Sequence, residues 1–310
     1  MNAKYASYSA GIYFEKSGAL INCNFYNMSI TRSSYGSTVH FEGSGNLTNC
    51  NFIGSTGSVR CGAVYIKCNG ELTNCNFYNM STTDFSNGGE VYIEGFGNLT
   101  NCNFTNGIIS EDGGALFIRG NGEVTNCNFA NNSVGNSNGG AVYIEQVGEV
   151  ANCNFNNNVA SSRGGAVYLG KDSTVVDCNF NNNVASSRGG AIWLPAGNVE
   201  NSNFVDNKST EGGAIYWNGD KGNIFDCNFV NNSANWGGAI FYDYCDGDVV
   251  SDCSFVNNFA EETGGAIFLW SSNEGLVSGC SFVNNSGDNA IIYFNNEESG
   301  SDLQSMIIFS

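Results

Sequence analysis

Aromatic rings and carboxylates occur together in the second half of the chain, which holds all four tryptophans. Rings that face outward beside carboxylates and amides suit sugar binding, because pyranose faces stack on aromatic rings while the hydroxyl groups need polar partners. The candidate glycan-binding residues are Trp193, Tyr216, Phe241, Asp243, Phe268 and Trp270. The alternative is that loops, a neighbouring domain or another rod cover the same rings.

An acidic segment next to these rings offers a candidate metal site. Its carboxylates are spaced as oxygen ligands of a weak Ca²⁺ site would be, and a solvated acidic turn is the alternative. The candidate ligands are Asp243, Asp246 and Asp248. The chain has a single His and no CxxC pair, which argues against zinc and iron–sulfur sites. Ca²⁺ is therefore the one cofactor that the sequence suggests.

Motifs for catalysis are missing from the sequence. It contains no nucleophile elbow, P-loop or HExxH string, and its one histidine, His40, has no triad context. We therefore predict no catalytic residues and a chain that is not an enzyme. A polysaccharide lyase or hydrolase on a pectate-lyase-like β-helix is an alternative, and it would need carboxylates from adjacent coils to converge in one groove.

A repeat fills the chain and must position these residues. Its most regular element is an Asn-Cys-Asn-Phe string, and a Gly-Gly-Ala-Val/Ile string recurs between its copies. The phenylalanine stands at 25, 52, 77, 104, 129, 155, 180, 204, 229, 255 and 282. A period of about 25 residues without drift predicts identical structural units stacked in register.

The repeat predicts an all-β fold, a parallel β-helix. Each unit has three apolar runs that fit three short strands, whereas a leucine-rich consensus and helical repeats are missing. The single proline agrees, because interior strands need every N–H for the neighbouring coil. We expect about 12 coils of about 25 residues in one domain spanning residues 1–310.

Alternation along a strand predicts which side chains face inward. The alanine of the Gly-Gly-Ala string is replaced by Thr38 and Glu90 in two coils, and a glutamate inside a narrow apolar core would be costly. This position, and the aromatic residue two places later, are therefore expected to face solvent. The presence of His40 at that aromatic position points the same way.

Cysteines and asparagines repeat at fixed positions. Asparagine before the cysteine is expected to adopt a left-handed turn and to bond to the same residue one coil away. An odd total of cysteines, most of them at one repeating position, is not a paired disulfide framework, so a column of small buried thiols is predicted. Ten of the 13 cysteines share that position: Cys23, Cys50, Cys75, Cys102, Cys127, Cys153, Cys178, Cys227, Cys253 and Cys280.

Composition excludes several classes of partner. A net charge of −18 argues against nucleic acid and against an anionic membrane surface. No run of 18 apolar residues occurs, so no membrane insertion is expected. A hydrophobic content of 41% separates the chain from disordered acidic proteins.

The GGAI strings and the FxxN strings together resemble a known class of repeats. Examples are GGAI at 189–192 and 237–240, and Phe129 with Asn132. They are similar to the repeats of chlamydial polymorphic outer-membrane proteins and of adhesin-like surface proteins of methanogenic archaea. The resemblance covers nearly the whole chain. It implies a right-handed parallel β-helix with an adhesive or structural role at the cell surface, outside the cell, and it carries over no catalytic residues.

Partners follow from the same resemblance: glycans or surface proteins of another cell. Unlike those families, the sequence shows no signal peptide or anchor, and neither end has an evident polar cap. This predicts either a fragment of a longer surface protein or a subunit that stacks end to end. A filament subunit, with homotypic end-to-end or side-by-side association, is therefore an alternative function.

Overall fold

The computed structural model describes residues 10–29, 37–57, 61–82, 88–110, 112–135, 137–219, 221–245, 247–271, 275–295 and 306–308. All regular structure in these residues is β-strand, and every strand pairs in parallel with the equivalent strand one coil away. The predicted parallel β-helix is confirmed. None of the described residues belongs to a helix long and apolar enough to cross a membrane.

Three long sheets run the length of the solenoid, and each coil contributes one strand to each of them, except that the described part of the last coil adds none to the third sheet. The first sheet has the strands Ala10–Phe14, Ser37–Phe41, Val64–Ile66, Val91–Ile93, Leu116–Ile118, Val142–Ile144, Val167–Leu169, Ile192–Leu194, Ile215–Asn218, Ile240–Asp243, Ile267–Trp270 and Ile292–Asn295. The second has Gly18–Ile21, Gly45–Thr48, Gly70–Thr73, Gly97–Thr100, Gly122–Thr125, Gly148–Ala151, Ser173–Val176, Gly197–Glu200, Gly222–Phe225, Val249–Ser251, Leu276–Ser278 and Met306–Ile308. The third has Asn24–Tyr26, Asn51–Ile53, Asn76–Tyr78, Asn103–Thr105, Asn128–Ala130, Asn154–Asn156, Asn179–Asn181, Asn203–Val205, Asn228–Val230, Ser254–Val256 and Ser281–Val283.

A fourth, shorter strand differs from the predicted three strands per coil. It lies between the third sheet and the next strand of the first sheet, and it forms a sheet of six strands and a separate pair. The six are Thr56–Gly57, Ser81–Thr82, Ile108–Ile109, Ser133–Val134, Val159–Ala160 and Val184–Ala185, and the pair is Ser233–Trp236 with Phe259–Thr263. Two-residue strands show little period-2 alternation, so the sequence pattern did not indicate them.

Identical side chains stack along the interior. The phenylalanines of the third sheet form one continuous column, with neighbouring ring centroids 4.7–5.0 Å apart. This spacing follows from the distance between hydrogen-bonded strands. Each ring therefore packs on the next coil, and the interior becomes one hydrophobic cluster.

Ten of the cysteines form the predicted column, and none of the 13, which all lie in the described residues, forms a disulfide bond. Their thiols donate to backbone carbonyls: Cys153 Sγ, for example, lies 3.2 Å from the Ala151 oxygen. Ser202 continues the column in the coil without a cysteine, with its hydroxyl 2.8 Å from the Glu200 oxygen. The position therefore selects a small side chain that can donate to a carbonyl.

Two asparagine columns close the turns. Asn49 has φ +54°, and its Nδ2 donates to Asn22 Oδ1 at 3.1 Å, which confirms the predicted turn column. The second column is buried from Asn132 to Asn258, and its last member, Asn285, is half-buried. There Asn183 Nδ2 donates to the Phe155 carbonyl at 3.0 Å and to Asn207 Oδ1 at 3.0 Å. Its members are the asparagines of the FxxN strings.

The structure corrects the predicted orientation of the alanine position. Ala141 and the following Val142 both lie in the interior cluster. Strand alternation does not hold there, because the strand begins only at Val142 and the chain turns just before it at Gly139, φ +65°. Thr38 and Glu90, which replace the alanine in two coils, are consequently buried instead of exposed.

The aromatic position was expected to face solvent, and this was also wrong. Its rings lie on the outer face of the first sheet, separate from the interior cluster, but most of them are buried, including His40. Each ring stacks on the ring of a neighbouring coil, and Cys61 and Trp236 pack on the rings from the side. Outward orientation on a solenoid therefore does not mean exposure.

Candidate functional site

The candidate site is a groove on the outer face of the first sheet, and its floor is the aromatic column. Strand register places Trp193, Tyr216, Phe241, Phe268 and Tyr293 in adjacent coils, each beside the next. Because the coils stack without shift, the residues that flank this column also form columns.

The two flanking columns supply the walls. Before the strand, Arg188 pairs with Glu211, and Glu211 pairs with Trp236, as β-bridges between successive coils. At the strand end, Asn218 pairs with Asp243, and Asp243 pairs with Trp270. A ligand on the aromatic floor would thus contact charged groups and a tryptophan on either side.

These walls enclose a cavity of about 370 Å³. Five of the six predicted glycan-binding residues line it, and Trp193 does not. Trp193 lies one coil before Tyr216 and is covered by Arg163, whose guanidinium carbon is 5.6 Å from its ring centroid. The lining residues are Arg188, Glu211, Tyr216, Trp236, Phe241, Asp243, Tyr244, Phe268 and Trp270.

The floor rings cannot offer their faces to a sugar as the sequence analysis expected. Phe241 is stacked between Tyr216 and Phe268, with centroid distances of 5.2 and 4.8 Å, so its two faces are occupied. The three rings are at most 6% exposed. The half-buried tryptophans in the walls, Trp236 and Trp270, retain accessible ring surface. Aromatic contact with a ligand therefore falls mainly to them.

Asp243 is held rigidly at one edge of the groove. Its Oδ2 accepts a hydrogen bond from the Tyr216 hydroxyl and another from Asn218 Nδ2 at 2.9 Å. Burial raises the pKa of Tyr216, and the hydrogen bond to Asp243 raises it further, so the phenol stays a donor at neutral pH. Two donors fix the carboxylate on one oxygen.

Arg188 and Glu211 form an ion pair at the other edge, with Nε and Oε2 2.8 Å apart. The Arg188 guanidinium carbon also lies 4.7 Å from the centroid of the Tyr216 ring, within range of a cation–π interaction. The sequence analysis missed both residues. The sequence pattern could have indicated them, because Arg188, Glu211 and Trp236 each immediately precede a Gly-Gly-Ala string.

The predicted Ca²⁺ ligands do not converge among the described residues. Asp243 lines the groove, whereas Asp248 is buried, and its Oδ1 accepts from the Gly222 N–H at 2.9 Å. The third candidate, Asp246, lies outside the described residues. Within the described part of the chain, no three His, Cys, Asp or Glu side chains are placed to hold a metal ion.

Comparison with known proteins identifies the fold family of the chain. The family described as a right-handed beta helix region matches residues 61–230 and, in an overlapping match, residues 140–304. No curated protein and no solved structure matches the chain significantly. The two matches together span 61–304, which is most of the sequence.

Proposed function

This chain belongs to the family of right-handed β-helix proteins, and we propose that it is a non-enzymatic rod that binds a glycan in the groove between Arg188 and Trp270. One observation carries the proposal: a cavity of about 370 Å³ combines two partly accessible tryptophans with an anchored carboxylate and an ion pair. Small-molecule sites are typically of this size, roughly 300–1,000 Å³, and have aromatic linings with few fixed polar groups.

The charged groups suit hydroxyl recognition because they are held in place before a ligand arrives. Asp243 has its Oδ2 fixed by two donors, and Arg188 is oriented by Glu211. Rigid acceptors and donors lose little conformational entropy on binding. We place the rod at the cell surface, where its partners would be glycans or surface proteins of another cell. The sequence resemblance to adhesin-like repeats supports this location.

The test is a glycan array followed by calorimetry with the best ligand. Trp270→Ala and Trp236→Ala should each weaken binding at least about tenfold, or ~1.4 kcal/mol, because each removes ring surface from the groove. Tyr78→Ala is the matched control, since Tyr78 is an exposed aromatic residue in the third sheet, away from the groove. Circular dichroism should show all three variants folded.

Two results would count against glycan binding in the groove. Either no glycan binds the wild-type chain, or the two tryptophan variants bind as tightly as Tyr78→Ala does. In the second case the ligand would lie elsewhere on the rod.

Cleavage of the glycan is a second candidate function, and one observation favours it. Glu211 and Asp243, from adjacent coils, line the same cavity, and glycoside hydrolysis commonly uses a pair of carboxylates. Incubation with the bound glycan and measurement of new reducing ends tests it. Product that disappears in both Glu211→Gln and Asp243→Asn would establish an enzyme. Tight binding without product would leave the rod non-catalytic.

A further inference from the structure

We infer that the groove prefers a sugar that carries a protonated amine over neutral and anionic sugars. This inference rests on the proposed glycan binding and names its ligand class. It follows from the charges in the groove, which are unequal, and from the free carboxylate oxygen at the edge formed by Asp243.

The positive charge of Arg188 in the groove is already balanced by the negative charge of Glu211. Arg188 Nε lies 2.8 Å from Glu211 Oε2, and its guanidinium is seated over the Tyr216 ring. This pair is about a quarter to a third exposed, so it remains solvated while staying in place. Arg188 and Glu211 therefore cancel each other in the field that a ligand meets.

The negative charge of Asp243 is not matched. Among the described residues, no lysine, arginine or histidine forms an ion pair with it. Its two hydrogen bonds come from the uncharged Tyr216 and Asn218, and both reach Oδ2. Oδ1 has no partner in the described part of the chain, so it can accept a hydrogen bond from a ligand.

Trp270 stands next to Asp243 in the wall. It pairs with Asp243 across the sheet and lines the same cavity. A protonated amine that bonds to Oδ1 would thus also lie close to an indole ring, which attracts cations. A carboxylate or sulfate on the ligand would instead face Asp243 and the net charge of −18. The site therefore selects by sign of charge.

Three tetrasaccharides of matched length separate the charge classes: glucosamine, N-acetylglucosamine and galacturonic acid. At about pH 6, where the amine is protonated, calorimetry should show the glucosamine tetramer binding at least tenfold more tightly than the acetylated one. The galacturonic acid tetramer should bind most weakly. In Asp243→Asn the amide oxygen can still accept from Tyr216, and the preference for the amine should disappear.

Asp226→Asn controls for the bulk charge of the chain. Asp226 is an exposed turn residue at a position where other coils have asparagine, such as Asn201, so this variant changes the net charge equally without touching the groove. The amine preference should survive in it. Equal affinities for the amine and its acetylated form, or equal loss in both variants, would overturn the inference.

The same data distinguish this inference from the proposed function. If the N-acetylglucosamine tetramer binds in a Trp270-dependent way and the glucosamine tetramer binds no more tightly, glycan binding stands and the charge preference falls. If no tetramer binds the wild-type chain, both fall.

Discussion

The carboxyl group of Glu90 fills the space beside Gly107 in which the following coils, from Asn132 to Asn258, place a buried asparagine. Gly107 N–H donates to Asn132 Oδ1 at 3.0 Å, as each residue of the buried asparagine column does to the next coil, so Gly107 stands at the end of that column. A Cβ on Gly107 would overlap Glu90 Oε1. The glutamate is fully buried, and its two oxygens have no partner among the described residues.

Stability should therefore depend on the protonation of Glu90. Burial raises its pKa well above the ordinary value of 4.5, so the folded state holds the proton while the unfolded state releases it. The stabilising contribution is complete below about pH 4.5 and is lost as the pH rises toward the folded-state pKa, at about 1.4 kcal/mol per pH unit. Glu90→Gln, which stays neutral, should raise the melting temperature at pH 7 and leave it nearly unchanged at pH 4.

Melting curves of both proteins between pH 4 and pH 8 check this expectation. If the difference in melting temperature between Glu90→Gln and the wild-type chain does not increase with pH, Glu90 is ionised in the folded state. Glu71→Gln is a control, because Glu71 is an exposed glutamate of the second sheet.

Glu90 and Gly107 should also be coupled energetically. Gly107→Asn alone should destabilise the fold, because the new side chain meets Glu90, and Glu90→Ala alone should leave a void. The double variant restores the residue pair of the next coil, Ala115 with Asn132, and should extend the asparagine column by one coil. A double-mutant cycle by urea unfolding should give a favourable coupling of roughly 1–3 kcal/mol. Additive effects would show that the two side chains do not share one space.

The fold was predictable because its period is strict. Spacing of the phenylalanines alone indicates stacked coils, and the cysteine and asparagine columns follow from it. The orientation of the alanine position was not predictable, because the alternation rule assumes a continuous strand. In the structure the chain turns at Gly139, and both Ala141 and Val142 point inward. Glu90 is buried in spite of the cost of placing a carboxyl group in an apolar interior.

The site was predictable only in part. Tyr216, Asp243 and Trp270 were found because their chemistry suits a ligand, and strand register brings them together. Ring stacking, which hides the faces of Phe241, depends on side-chain torsions that a pattern of residue types does not contain. Arg188 and Glu211 were missed because they lie outside the regular strands and pair with neighbouring coils only through isolated bridges.

Alkylation rates should distinguish the buried cysteines of the column from the exposed Cys68. Cys68 is exposed, whereas Cys50 is buried, and burial raises the pKa of its thiol and so lowers its thiolate fraction. In the native protein, iodoacetamide should label Cys68 at least about 100-fold faster than the column cysteine Cys50, as read by peptide mass spectrometry. Cys68→Ser should remove the fast phase. Equal rates would show that the column opens on the labelling time scale.

The buried asparagine column should contribute far more to stability than the exposed one in the same coil. Asn183→Ala would leave the Asn158 N–H, the Asn158 amide and the Phe155 carbonyl without their partners. Each buried polar group left unsatisfied costs about 1–3 kcal/mol, so the loss should exceed about 3 kcal/mol. Urea unfolding measures it as a lowered midpoint.

Asn181→Ala is the matched control for this change. Asn181 has the same residue type and lies in the same coil as Asn183. Its side-chain amide donates one hydrogen bond, to Asn156 Oδ1 at 3.0 Å, at the partly exposed surface, where water replaces a lost partner. It should cost less than about 1 kcal/mol. Similar costs for the two variants would mean that the buried column adds no more than a hydrogen bond at the partly exposed surface does. A large difference would identify the FxxN asparagine as the residue that ties one coil to the next.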